Sequence, residues 1–171
     1  MKIENITTER LCLRGFTPAD ARFAISIWND PDMGEYLPDE SMTEIDPEYL
    51  KMVEGLGEDE ECCYMIAEDK VTRRRIGTCS FIPSADGTEY DIAYCVHRYN
   101  WRKGYATEMV GGMIDFARRH GAKFITMRIN KENIASNRVA AKFGFSVTGE
   151  TSYTKRGTDR VFTDYEYRLS L

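Results

Sequence analysis

Residues 89–120 constrain this chain more than any other stretch. EYDIAYCV (89–96) alternates as a strand does, and HRYNWRKGYATEM then leads into a pattern of helical period. Val110, Met113, Ile114 and Ala117 fall at i, i+3, i+4 and i+7, which predicts a helix over about 107–120 with Gly121 as its stop. A further strand pattern at 123–129 completes a β-α-β unit.

The remaining signals fit around that unit. Leu11 and Leu13 alternate within residues 10–14, and Thr17-Pro18-Ala19-Asp20 starts a helix with a cap, a first-turn proline and an acid facing the positive end. Asp46-Pro47 repeats the cap-then-proline signal, with Gly55 or Gly57 near the end of that helix. Residues 62–67 and 75–82 read as strands joined by a polar hairpin, Pro83 to Thr88 as a turn, and Ile134 to Phe143 as a helix closed by Gly144. Strands at 146–153 and 161–169 end the chain. The order β, α, α, β, β, β, α, β, α, β, β places an antiparallel meander before the β-α-β unit. It predicts an α/β (α+β) single domain with a mixed, mostly antiparallel sheet flanked by helices. A length of 171 residues fits one domain, and no repeat or Pro/Gly/Ser linker divides it.

Composition narrows the function. No apolar run approaches a membrane span, and the N-terminus lacks the apolar core of a signal peptide. The five cysteines are odd in number and contain no C-x-x-C, and only His97 and His120 accompany them. Neither a metal site nor a disulfide framework is expected, and a reducing cytoplasmic location fits best. A net charge of −5 argues against general nucleic-acid binding. Ten acids crowd residues 39–61 against Lys51 alone, as either a solvated face or a rim that attracts a cationic substrate.

Between the strand ending near Val96 and the following helix lies WRKGYAT (101–107). Helix N-termini present unpaired N–H groups at a positive dipole end, so Gly104 and Ala106 would let the backbone curl round an anion while Arg102 and Lys103 add charge. A plain strand-to-helix turn accounts for the spacing equally well. No P-loop and no G-x-G-x-x-G fingerprint is present.

The run D-I-A-Y-C-V-H-R-Y-N-W-R-K-G-Y-A-T-E, followed by N-K-E-N-I-A-S-N-R-V-A-A-K-F-G-F, resembles the GNAT superfamily of N-acyltransferases. It resembles most closely the branch containing the Rim-type ribosomal-protein N-terminal acetyltransferases. The early T-T-E-R-L-C-L-R-G-F-T-P-A-D-A resembles that branch's start, so the domain is expected over residues 8–171 with 1–7 as a short lead-in. The superfamily's diphosphate loop, Q/R-x-x-G-x-G/A, is matched by Gly104 and Ala106; Trp101 takes the first place, where an aromatic is common in the Rim-type branch.

The resemblance implies acetyl-CoA as donor, with its diphosphate on the amides of Arg102, Lys103, Gly104, Tyr105, Ala106 and Thr107. It implies that the strand at Tyr94, Cys95 and Val96 splays from its neighbour and offers its main chain to the pantetheine arm. Asn133 and Asn137 are expected beside the cofactor, although Asn133 also suits a helix N-cap. Asp91 stands where many relatives carry a glutamate and is the candidate base, with Glu89 on the same face; surface acids near a strand end are the plainer reading of both. Many relatives carry a tyrosine seven residues after that asparagine, and here the place is Ala140. Ser136 is then the candidate donor to sulfur, a backbone-bonded first-turn serine being the alternative, and Tyr153 stands further back. Cys95 lacks a partner base and reads as an inert thiol.

The implied activity is acetyl-CoA-dependent transfer to a primary amine by direct attack, the acceptor being a protein N-terminus, a lysine, a polyamine or an aminoglycoside. A non-catalytic CoA-binding sensor or scaffold is the rival. Tyr153, Phe162, Tyr165 and Tyr167 either pack the core or pair subunits, leaving monomer and homodimer open.

Overall fold

The sequence patterns resolve into eight strands and four α-helices in a computed structural model that describes residues 3–171. The strands are β1 (Ile6–Thr7), β2 (Leu11–Gly15), β3 (Cys63–Asp69), β4 (Arg75–Pro83), β5 (Glu89–Val96), β6 (Phe124–Asn130), β7 (Ser146–Thr154) and β8 (Val161–Ser170). The helices are α1 (Ala21–Trp28), α2 (Pro47–Glu54), α3 (Tyr105–Arg119) and α4 (Ile134–Lys142). One sheet holds all strands in the order β1-β2-β3-β4-β5-β6-β8-β7. Every neighbouring pair is antiparallel except β5 and β6, which the crossover through α3 makes parallel.

Alternation along the central strands sends side chains to two cores. Leu11, Leu13, Met65, Ala67, Phe81 and Ile92 meet Met109, Val110, Met113 and Phe116 of α3 on one face. Ile66 turns to the other face and joins Phe16, Ala24, Ile25 and Val53 beneath α1 and α2. Each large apolar side chain withdrawn from water in this way contributes roughly 1.5–3 kcal/mol.

Four features depart from the sequence expectations. Ile6 and Thr7 form an edge strand against Leu13 and Cys12, and Ile6 is buried; two residues are too few for an alternation to show. Thr17 caps one 3-10 turn over Pro18–Asp20, and α1 begins only at Ala21. Asp20, read as a complement to a helix dipole, is fully buried, accepting bonds from Thr17 and from the guanidinium groups of Arg14 and Arg75. Finally, α3 starts at Tyr105 rather than near Thr107, because Gly104 is its N-cap, with φ 80° and ψ 2°.

Candidate active site

The parallel ladder between β5 and β6 is short. Glu89, Tyr90 and Asp91 pair with Phe124, Ile125 and Thr126, and there the register ends. Beyond it β5 stays with β4 as far as Val96, while β6 stays with β8 as far as Asn130. The two strands therefore part, and each presents an edge to the gap.

Register decides which groups face that gap. His97 N–H donates to the Ile76 carbonyl at 3.0 Å, and Ser84 N–H to the Glu89 carbonyl at 2.8 Å. Hydrogen-bonded pairs alternate along an antiparallel ladder, so the main chains of Asp91, Ala93 and Cys95 point at β4 and those of Ile92, Tyr94 and Val96 point away from it. This corrects one expectation: Cys95 pairs with Thr78 and offers no main-chain group to a ligand. The Val96 carbonyl is also engaged, taking the Trp101 indole N–H at 2.6 Å. What remains for the gap is the Tyr94 amide and carbonyl and the Val96 amide.

At the far end of β5 the chain enters the loop. Arg102 (φ 61°) and Gly104 (φ 80°) both adopt the left-handed region on either side of Lys103. Left-handed turns of this kind draw successive N–H groups toward a common focus. The first main-chain bond of α3 runs from Glu108 N–H to the Gly104 carbonyl at 3.0 Å. Among the described residues nothing accepts a hydrogen bond from the N–H groups of residues 102–107. Lys103 folds its ammonium back to the Tyr99 carbonyl at 2.6 Å, while Trp101, Arg102 and Lys103 are exposed.

A clamp that the sequence reading missed holds this loop from below. The Glu108 carboxylate accepts from Thr8 Oγ1, Arg10 N–H and Arg10 Nε, each at 2.6 Å. Arg10 Nη1 then donates to the Lys103 carbonyl at 2.9 Å, and the guanidinium lies 4.3 Å from the centre of the Tyr105 ring. The partners lie about a hundred positions apart in the chain, so no local pattern announces them.

The two candidate catalytic acids lie on one face of β5. Asp91 lies on the face of Thr78, Cys95 and α1. Burial raises its carboxyl above the ordinary value of 3.8, and the Thr126 hydroxyl, donating at 3.0 Å, and the Arg128 charge offset part of that rise. Glu89 shares the face but is ion-paired with Arg168 at 2.9 Å. Tyr94 and Val96 lie on the other face, with Ile92, toward α3 and α4. Burial pushes the Cys95 thiol up to about 11, as suits an inert sulfur.

On α4, Asn133 caps the helix, its side-chain oxygen taking the Ser136 N–H at 3.2 Å. Asn137 does not present its polar atoms to a ligand: its amide donates to the carbonyls of Asn130, Lys131 and Asn133, and its oxygen takes the Tyr167 hydroxyl at 2.8 Å. It braces the β6–α4 turn. Ala140 is buried, which leaves Ser136 as the one hydroxyl of α4. The Tyr153 hydroxyl is tied to the Tyr36 carbonyl at 3.1 Å.

The acidic segment is less available than its composition suggests. Asp39 holds Arg156 through both carboxylate oxygens, Asp46 caps α2, and Asp59 accepts from the amides of Glu61 and Cys62. Glu40 and Glu44 remain exposed. On the same side of the sheet a hollow of 370 Å³ opens between Ile25, Asp30, Ile45 and Leu50. Among the described residues no cluster of three or more His, Cys, Asp or Glu suits a metal ion, and no helix is long and apolar enough to cross a membrane.

A parted strand pair ending in a loop of unpaired amides defines a recognisable class. The acetyltransferase (GNAT) domain model matches residues 10–146, and the chain belongs to that family of acyltransferases. It is 25% identical over 171 residues to Uncharacterized N-acetyltransferase p20 of Bacillus licheniformis, covering 98% of this chain and 96% of that protein. Among solved structures, the spermidine N-acetyltransferase of Vibrio cholerae in complex with CoA and spermine superposes with a TM-score of 0.81 at 16% identity, covering 94% of this chain and 95% of that one. RimL, a ribosomal L7/L12 alpha-N-protein acetyltransferase, gives 0.78 at 17% identity, covering 98% and 94%.

Proposed function

We propose that the protein moves an acetyl group from acetyl-CoA to a primary amine by direct attack. The observation that carries this reading is the continuity of the gap and the loop. The unpaired edge of β5 runs straight into the unpaired amides of residues 102–107. A pantetheine arm carries amides that pair with a strand edge, and its diphosphate suits the head of α3. The residues fit that donor, with the unpaired edge of β5 for the arm and the Gly104 turn for the phosphates.

The amine enters from the α1 face. A lysine-like amine is mostly protonated at neutral pH and must shed a proton, which Asp91 takes directly or through a water. The Tyr94 N–H faces the gap further from the loop than Val96 and supplies a donor for the oxygen on which charge gathers during attack, the Tyr94 carbonyl and Val96 N–H serving the arm. The acceptor is a protein N-terminus or a small cationic amine. The neighbours named above, one holding spermine and one acting on a ribosomal protein, are of these two kinds. With Asp39 committed to Arg156, a cationic acceptor meets Asp91, Glu40 and Glu44 rather than the whole acidic run. The setting is a reducing cytoplasm, and the protein acts as a monomer or homodimer.

The test is thiol release from acetyl-CoA against a panel of amines, with Asp91→Asn as the informative variant. Loss of a general base is expected to lower kcat by about a hundredfold or more. Because burial raises the Asp91 carboxyl, its ionised form weakens the fold at neutral pH, so the variant keeps or gains thermal stability. In the wild type, activity falls as pH drops through that raised value. Binding of CoA with no turnover on any amine would instead leave the sensor reading standing.

A further inference from the structure

The Tyr94 hydroxyl is an anomaly in this fold. Its oxygen is buried and has no hydrogen-bond partner among the described residues. An orphaned buried hydroxyl costs about an order of magnitude in folding equilibrium relative to a phenylalanine of the same shape. The ring stands on the splayed half of β5, on the α3/α4 face, where it packs against the main core. The Ser136 side chain of α4 approaches the hydroxyl without closing a hydrogen bond with it. A donor is therefore held, buried and unpaired, on the splayed half of β5 and on the face opposite Asp91.

We propose that Tyr94 is the hydrogen-bond donor to the sulfur of the acyl donor, with Ser136 as its second contact across the gap. The assignment rests on the CoA reading above and adds a residue to it. As nitrogen bonds to the acetyl carbon, the carbon–sulfur bond breaks and its electron pair stays on sulfur. Tyr94 meets that charge with its O–H and keeps its proton, and the thiolate is protonated by solvent on release. The nitrogen gives up two protons, one before attack and one as the amide forms, and both leave on the other face, through Asp91 to solvent. Burial pushes the Tyr94 phenol up to about 12, so it stays a donor throughout the working range. The strand's alternation separates the two proton positions without help from any other element.

The test is a cycle of two proteins and two ligands that does not depend on turnover. Wild type and Tyr94→Phe are titrated calorimetrically with CoA and with desulfo-CoA at pH 9, where a thiol of pKa about 8.5 is largely ionised. Wild type is expected to favour CoA over desulfo-CoA by about fivefold or more, and Tyr94→Phe to bind the two alike. In turnover, kcat of the variant falls about 10- to 100-fold while the acetyl-CoA KM stays within about twofold. Its melting temperature holds or rises, which excludes misfolding. A preference for CoA that is absent from wild type, or that survives in Tyr94→Phe, overturns the assignment and leaves the CoA reading intact. Failure of wild type to bind either ligand overturns both.

Discussion

Replacing Gly104 with valine probes the loop at its most sensitive point. Gly104 holds φ 80° and ψ 2° at the head of α3, a region that costs an L-residue about 1–2 kcal/mol and a β-branched one at least as much. Space is not the obstacle, since a Cβ there would meet only Arg10 Nη2, at 3.4 Å. The penalty is conformational, and the chain has two ways to meet it. If the left-handed turn is kept, the melting temperature of a domain this size falls by roughly 2–8 °C. If the turn flips, the Gly104 and Tyr105 amides leave their common focus and CoA binding weakens by roughly 5- to 30-fold for the same 1–2 kcal/mol. Asparagine tolerates the left-handed region better than other non-glycine residues, so Gly104→Asn separates loss of conformation from loss of a hydrogen atom. It is expected to bind CoA within about threefold of wild type. Calorimetry and thermal unfolding of the three proteins provide the readout. A valine variant with unchanged melting temperature and unchanged CoA affinity would refute the claim that this turn holds the diphosphate.

Two further outcomes follow from buried charge. Glu108→Gln keeps one acceptor oxygen for Thr8 and the Arg10 amide but sets an NH2 against Arg10 Nε and removes the charge, and it is expected to lower stability by about 1–3 kcal/mol and to weaken CoA binding. Burial alone would raise the Glu108 carboxyl, but the bonds from Thr8 and Arg10 outweigh it and hold it below 4.5. Its contribution is thus present above the unfolded value and lost as pH falls through the lower folded one, so the gap in melting temperature between wild type and variant should narrow as pH falls below 4.5 and close under the folded value. Asp20→Asn leaves Arg14 and Arg75 facing a neutral group where a fully buried carboxylate stood, at an expected cost of about 3–5 kcal/mol in urea unfolding. A loss under 1 kcal/mol would mean that water satisfies the two guanidinium groups.

Elements with local chemistry were legible in the sequence. Asp46 and Asn133 mark helix starts where they were expected, and Gly121 and Gly144 turn left-handed where α3 and α4 end. The mixed sheet followed from counting strand patterns around one β-α-β unit. Features that depend on distant partners stayed hidden. Asp20 reads as a first-turn acid until β2 and β4 bring Arg14 and Arg75 against it. Asn137 reads as a ligand residue until three carbonyls of the β6–α4 turn converge on its amide. Asp39 reads as a free acid until the β7–β8 hairpin delivers Arg156. In each case the residue type was informative and its partner was not, because the contact closes over a long stretch of chain.

The gap, the loop and the crossover have one origin. In an antiparallel meander each strand can stay bonded to its neighbour along most of its length, and β2, β3, β4 and β5 do so. Only β5 and β6 run parallel, and beyond Asp91 each stays with its outer partner alone, β4 on one side and β8 on the other. Twist accumulated on the two sides pulls their carboxyl ends apart, where open sheets hold their ligands. The chain leaves β5 at that end and must turn before α3 can carry it back, so the turn's unpaired amides lie at the mouth of the opening. Lengthening the β5–β6 ladder past Asp91 as far as Tyr94 would close the strand edge that runs into the loop. The acid at the last paired position and the tyrosine three residues on, facing opposite ways, thus mark the boundary between the part of the strand paired on both edges and the part paired on one.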